Sequence, residues 1–195
     1  MYNNDEFIRI IKDRLSDKRF VHSLNVAASA KELAKKFGAD EEKAYTAGIL
    51  HDIMKEENID IQREYMKKNG EDTRELEFPN HLVYHQMSGA AYCRLELGVD
   101  DEDILNAIRY HTTGRSGMTL LEKVVYTADF ISADRCYPDV SVMREKASKS
   151  LEEAMLYSLR YTISDLSKRA KSIHLDTVKC YNDILENFKE KDLDI

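Results

Sequence analysis

The sequence predicts one all-α domain of nine or ten helices. Apolar residues recur at three- and four-residue intervals almost throughout, the spacing of a single helix face. Runs that alternate apolar and polar in the manner of a strand are missing. The 195 residues include only two prolines and seven glycines, so little interrupts a helix. That length suits a single core, and 43% hydrophobic with 33% charged residues is the balance of a folded chain.

The elements follow in order. Phe7, Ile8, Ile11 and Leu15 share one face of a helix over 5–15. A second runs over 18–37 and stops at Gly38, a residue suited to the left-handed cap. Asp40 is placed to cap a third, which carries Ala44, Ala47, Gly48 and His51. A weaker helix over 61–68 ends at Asn69-Gly70. Beyond Pro79, helices over 85–97 and 101–111 end near Gly98 and Gly114. Thr119-Leu-Leu-Glu122 has the spacing of a capping box and opens a helix that reaches Ser132. The stretch 136–140, with Pro138, reads as a loop. Ser150-Leu-Glu-Glu153 opens a long helix to about residue 170, and Asp176 is expected to cap the last, through Phe188. One domain over 1–195 follows, with its core at about 17–136 and a helical pair from about 141–190 packed on it.

Composition excludes several classes of function. No apolar run approaches the ~18 residues of a membrane span, and the polar, acidic start shows no secretory signal. Cys93, Cys136 and Cys180 are widely spaced, an odd set that fits a reducing cytoplasm better than a disulfide framework. A net charge of −7 argues against a nucleic-acid partner, which needs a basic face. A small anion remains admissible, because local cations override the global sign.

The informative residues are ionisable ones that fall on apolar stripes. The stripe of Val26, Ala30, Leu33 and Phe37 extends back to His22 and, a turn further, Arg19. Ala44, Ala47 and Gly48 lead to His51, with Asp52 beside it and Lys55 a turn later. His85 shares a face with Gly89, Cys93 and Leu97. Ile104, Ala107 and Ile108 lead to His111, and Leu121, Val125 and Ala128 lead to Asp129. A lone inward histidine is usually a hydrogen-bonded core residue. Burying one polar side chain unpaired costs roughly 1–3 kcal/mol, and five helices each aiming one inward are satisfied most simply by a shared cation. Imidazole and carboxylate without thiolate suit iron, manganese or zinc in a site with open positions, not a closed structural zinc. Ala47 and Gly48 are small enough to let a facing helix approach closely.

In order, Arg19-Phe-Val-His22, Gly48-Ile-Leu-His51-Asp52-Ile-Met-Lys55 and Tyr126-Thr-Ala-Asp129 resemble the H…HD…D signature of the HD-domain metal-dependent phosphohydrolases. Tyr110-His-Thr-Thr-Gly114, Ala128-Asp-Phe-Ile-Ser-Ala-Asp-Arg135 and the late Thr177-x-x-x-Tyr-Asn182 are similar to the bacterial symmetrical diadenosine tetraphosphate hydrolases of that superfamily. The similarity runs from about 15 to 185. It implies an HD-domain helical bundle and an iron-containing site of one ion or two that cleaves diadenosine tetraphosphate into two ADP. It also implies metal ligands at His22, His51, Asp52 and Asp129. His85 and His111 match positions near a second metal or the substrate phosphates, and join Asp52 as the expected catalytic residues. Arg19, Asp52, Lys55, His85, His111, Thr112, Asp129, Arg135, Ser172 and Thr177 match the nucleotide-contacting set. His174 departs from the pattern of that late segment, as does the run Val83-Tyr-His-Gln-Met around His85. Asp52 or Asp129 would take the proton of the attacking water, Asp52 by preference. The alternatives are another nucleotide phosphoester as substrate, or a nucleotide sensor without turnover. The only partners expected are the nucleotide and its ADP product, with no membrane contact, and a homodimer is left open.

Overall fold

Local signals in the sequence set the helix ends of this computed structural model, which describes residues 2–189. Eleven α-helices and one 3-10 turn are present among the described residues, and no strand. Helix α1 (Asn4–Arg14) leads to α2 (Asp17–Phe37), whose Ser16 cap accepts the amide of Arg19 and whose Gly38 turns left-handed at φ 83°. Asp40 caps α3 (Glu41–Leu50) by accepting two amides, as expected. Helices α4 (Ile59–Lys68) and α5 (Thr73–Leu76) precede a 3-10 turn, His81–Val83, that runs into α6 (Tyr84–Glu96). Then come α7 (Glu102–Arg109) and α8 (Leu120–Ile131), the latter with its capping box formed between Thr119 and Glu122. The chain finishes with α9 (Val140–Lys149), α10 (Leu151–Lys168) and α11 (Leu175–Lys189).

Three helices, not two, therefore make up the C-terminal part. The stripe of α9 amounts to Met143 and Ala147, too short a pattern to read. Asp176 is not the cap of α11 either. It lies in the first turn, and its amide donates to Nδ1 of His174 at 3.2 Å. No helix among the described residues is long and apolar enough to cross a membrane.

The main core gathers apolar faces of α1, α2, α3, α6, α7 and α8, including Ile11, Val26, Leu50, Ile104, Ile108 and Val125. Each such side chain contributes roughly 1.5–3 kcal/mol by leaving water. Helix α8 has two apolar faces. Leu121, Val124, Val125 and Ala128 enter the main core, while Tyr126 packs with Met155, Leu159, Cys180 and Ile184 of α10 and α11. Asp129, in the last turn of α8, thus stands where the two clusters meet.

Helices α2 and α3 touch backbone to backbone. A Cβ added to Gly48 would lie 2.5 Å from Cα of Ala27. The small residues before His51 allow the approach anticipated from the sequence. Through it, His51 comes within reach of His22.

Candidate metal centre

Five elements deliver the site. His22 projects from the second turn of α2, His51 is the C-cap residue of α3, and Asp52 follows it. His85 opens α6, His111 lies just past α7, and Asp129 lies in the last turn of α8. Three helix C-termini, those of α3, α7 and α8, converge here. Each carries partial negative charge that favours a cation.

The imidazoles form a row. Ring centroids lie 5.4 Å apart for His22 and His51, 4.9 Å for His51 and His111, and 5.0 Å for His111 and His85. One device aims three of them. Nδ1–H donates to the carbonyl three residues back, Gly48 for His51, Leu82 for His85 and Ile108 for His111, each at 2.8 Å. That bond fixes the tautomer and leaves Nε2 as a bare lone pair facing the site. His22 is held differently, with Nδ1 2.8 Å from Oδ2 of Asp134 and Nε2 3.0 Å from Oδ1 of Asp129.

Asp52 sits at the middle and divides its oxygens. Oδ2 takes a 2.7 Å hydrogen bond from Nη1 of Arg19 and lies 3.5 Å from Nε2 of His51. Oδ1 lies 3.3 Å and 3.6 Å from Nε2 of His85 and His111. Lys55 Nζ reaches Nε2 of His85 at 3.1 Å, and the Thr112 hydroxyl reaches the same atom at 3.2 Å. Arg135 pairs with Oδ1 of Asp129 and bonds its carbonyl at 2.7 Å.

Burial drives His51 down to about 4, and burial with the Lys55 ammonium lowers His85 well below the ordinary imidazole value. Burial alone would raise Asp52 and Asp129. The imidazoles and cations around them outweigh it and hold both well below the usual carboxylate range. Burial likewise pulls on His22, yet its bond to Asp129 raises it. For His51 and His85 with Asp52 and Asp129, neutral imidazole beside ionised carboxylate is the protonation state that metal ligation requires. His22, paired with Asp129 and Asp134, would have to give up its Nε2 proton to bind a metal.

Two observations show that a cation fits. Nε2 of His51 is fully buried and has no hydrogen-bond partner among the described residues, an arrangement that costs roughly 1–3 kcal/mol if nothing fills it. Nε2 of His85 and Nε2 of His111 face each other at 3.0 Å although both rings carry their proton on Nδ1. The Lys55 ammonium, 3.1 Å from Nε2 of His85, answers one of these lone pairs, and Nε2 of His111 is left facing the site for a cation. Ligand atoms of His22, His51 and Asp129 cluster within 4.8 Å of one another, and so do those of His51, Asp52 and His111. The two clusters share His51.

Of the nucleotide-contacting residues expected from the sequence, Arg19, Asp52, Lys55, His85, His111, Thr112, Asp129 and Arg135 come together around this centre. The backbone hydrogen bonds of Ser172 and Thr177 are made elsewhere. Among the described residues neither hydrogen-bonds to the cluster; the Ser172 carbonyl accepts from Asn80, and the Thr177 amide donates to the His174 carbonyl. His174 is a structural clip. Its Nε2–H donates to Glu75 at 2.7 Å and ties α11 to α5. Two residues of the site escaped sequence reasoning. Asp134 orients His22. Gln86, fully buried, accepts the amides of Thr112 and Thr113 and donates to the Thr113 hydroxyl, which fixes the turn that presents Thr112.

Residues 19–134 match the HD domain family. The chain is 39% identical over 180 residues to the symmetrical bis(5'-nucleosyl)-tetraphosphatase of Bacillus subtilis, covering 92% of this chain and 96% of that one. The protein of the same description from Staphylococcus aureus is 31% identical over 182 residues, covering 92% and 93% respectively. A crystal structure from Clostridium acetobutylicum, described as a predicted HD superfamily hydrolase involved in NAD metabolism, matches with a TM-score of 0.91 at 33% identity. It covers 96% of this chain and 99% of its own. With its H…HD…D residues gathered around one buried centre, the chain belongs to the HD-domain family and, within it, to the symmetrical bis(5'-nucleosyl)-tetraphosphatases.

Proposed function

We propose that this protein hydrolyses dinucleoside tetraphosphates at their midpoint, diadenosine tetraphosphate into two ADP, in a cytoplasmic setting that matches its three free cysteines. The observation that carries the reading is the unpartnered Nε2 of His51, held among His22, Asp52 and Asp129 and flanked by Arg19, Lys55 and Arg135. HD-domain proteins depend on a divalent metal, and His22, His51, Asp52 and Asp129 would hold it. Iron is the ion we assign, and manganese and zinc suit the same donors. When bound, such an ion supplies Lewis acidity, polarising a phosphoryl oxygen and letting water ionise near neutral pH.

The chain's own residues do the rest. Arg19, Lys55 and Arg135 neutralise the polyphosphate, the arginines through paired N–H donors. Oδ1 of Asp52, ionised and turned toward His85 and His111, accepts the proton of the attacking water. Thr112, anchored by Gln86, offers its hydroxyl to a non-bridging oxygen. His85 and His111, with their Nε2 lone pairs turned inward, would hold a second ion. Arg19, Lys55 and Arg135 offset the charge of the leaving phosphate; phosphoryl transfer relies on such positioning and charge stabilisation. Cleavage at the midpoint is supported by the names of the Bacillus and Staphylococcus relatives.

Two measurements test this. Elemental analysis of protein purified without chelator is expected to find iron bound. Incubation with diadenosine tetraphosphate is expected to yield ADP alone; ATP plus AMP, or no turnover by metal-loaded protein, would reject the assignment.

A further inference from the structure

A substrate cut at its midpoint must extend away from the reacting atoms on both sides. The row of imidazoles supplies the two directions. At one end lie His85, Lys55 and Thr112; at the other lie His22, Asp129 and Arg135. A cavity of about 320 Å³ opens at the Arg135 end, between the last turn of α8, the 135–139 loop, α9 and α10. Its volume falls within the range of about 300–1,000 Å³ common to small-molecule sites. Asp129 and Arg135 line the cavity as well as the metal centre, so the two spaces share a wall.

Resting on the hydrolase reading above, we infer that this cavity is a nucleoside subsite, and that it takes the base and ribose of one half of the dinucleoside polyphosphate while Arg135 holds the adjoining phosphate. The walls have the chemistry of a base pocket. Tyr137, Tyr157 and Tyr161 line it, and aromatic rings stack on any base. The Tyr137 hydroxyl donates to the Phe130 carbonyl at 2.9 Å, which commits the polar end of that side chain and leaves its ring for contact. Tyr161 is 65% exposed, a large aromatic held at the mouth with no core to fill. Asp139, exposed at the same mouth, supplies an acceptor for ribose hydroxyls or an exocyclic amine. The sequence assigned nothing to Tyr137, Tyr157 or Tyr161. The resemblance pointed instead to the late segment around Ser172 and Thr177, which is tied to Asn80 and α5.

The test uses metal-loaded, full-length protein. Calorimetric titration with ADP is expected to find two ADP per wild-type chain and one per chain in a Tyr157→Ala/Tyr161→Ala variant, with Tyr157→Phe/Tyr161→Phe restoring the second. In steady-state turnover of diadenosine tetraphosphate, the alanine variant is expected to raise KM about tenfold, the size of one lost base–aromatic stack, and to leave kcat within about twofold. One ADP per wild-type chain, or a KM that does not move, would overturn the subsite. Failure of the wild type to split the tetraphosphate would instead overturn the hydrolase reading, so the two outcomes are distinct.

Discussion

Both nitrogens of His22 are committed, one to Asp134 and the other to the site. A carboxylate behind an imidazole sets its orientation and raises its basicity, and its loss commonly weakens metal binding about 10–100-fold. Asp134→Asn keeps the size of the side chain and removes the charge. It is expected to lower metal affinity by that factor, read by competition with a chromogenic chelator; unchanged affinity would take Asp134 out of the site. The contrast with the other polar residues explains what the sequence shows. His51, His111 and Asp129 each interrupt an apolar stripe at helical spacing, and a disturbed period can be read without coordinates. Asp134 lies in a turn, where no period exists to disturb. Gln86 lies beside His85 on α6 and looks like any polar neighbour, because an amide gains its meaning only from the Thr112–Thr113 turn that it meets.

At the scale of elements, the contact between α2 and α3 bears most on the site. Gly48 has two tasks: its missing side chain admits Ala27, and its carbonyl holds the His51 ring. Gly48→Ala places a methyl group against backbone that has no flexible end to yield. Overpacking of this kind costs about 1–3 kcal/mol. The expected results are a lower urea midpoint and, because His51 moves with α3, a lower metal content at equal total metal. A variant with wild-type stability would show that the helices separate without strain. Long helices with explicit end signals were legible, as Gly38, Asp40 and the Thr119–Glu122 box illustrate. Short pieces were not. Helix α5 has four residues, the 3-10 turn has three, and α9 buries only Met143 and Ala147, so none of them repeats long enough to show a face.

For the whole molecule, stability and pH are linked through the buried imidazoles. His51 binds its proton at about 4 in the folded state and His85 also below its ordinary value, whereas the unfolded chain protonates both near 6.5. Between those limits the unfolded state holds more protons, so acid favours unfolding, by up to about 1.4 kcal/mol per pH unit for each such group. His22 has the opposite shift. Its contribution is complete below about 6.5 and is lost as pH rises through its folded value, outside the acid window. Chelated protein is therefore expected to lose stability as pH falls from about 6.5 toward 4, followed by urea denaturation across that range, and His51→Asn is expected to flatten the slope. An unchanged slope in the variant would mean that His51 is not the group that titrates.

The three rings tied to carbonyls in their own turns have a last consequence. Such a ring cannot turn over to offer its other nitrogen without breaking the hydrogen bond that steers it. The donor atoms of His51, His85 and His111 are thus stationed before any ion arrives. Discrimination among ions then falls to the fixed shape of the opening, and an ion whose preferred shape differs gains no help from a compliant ligand.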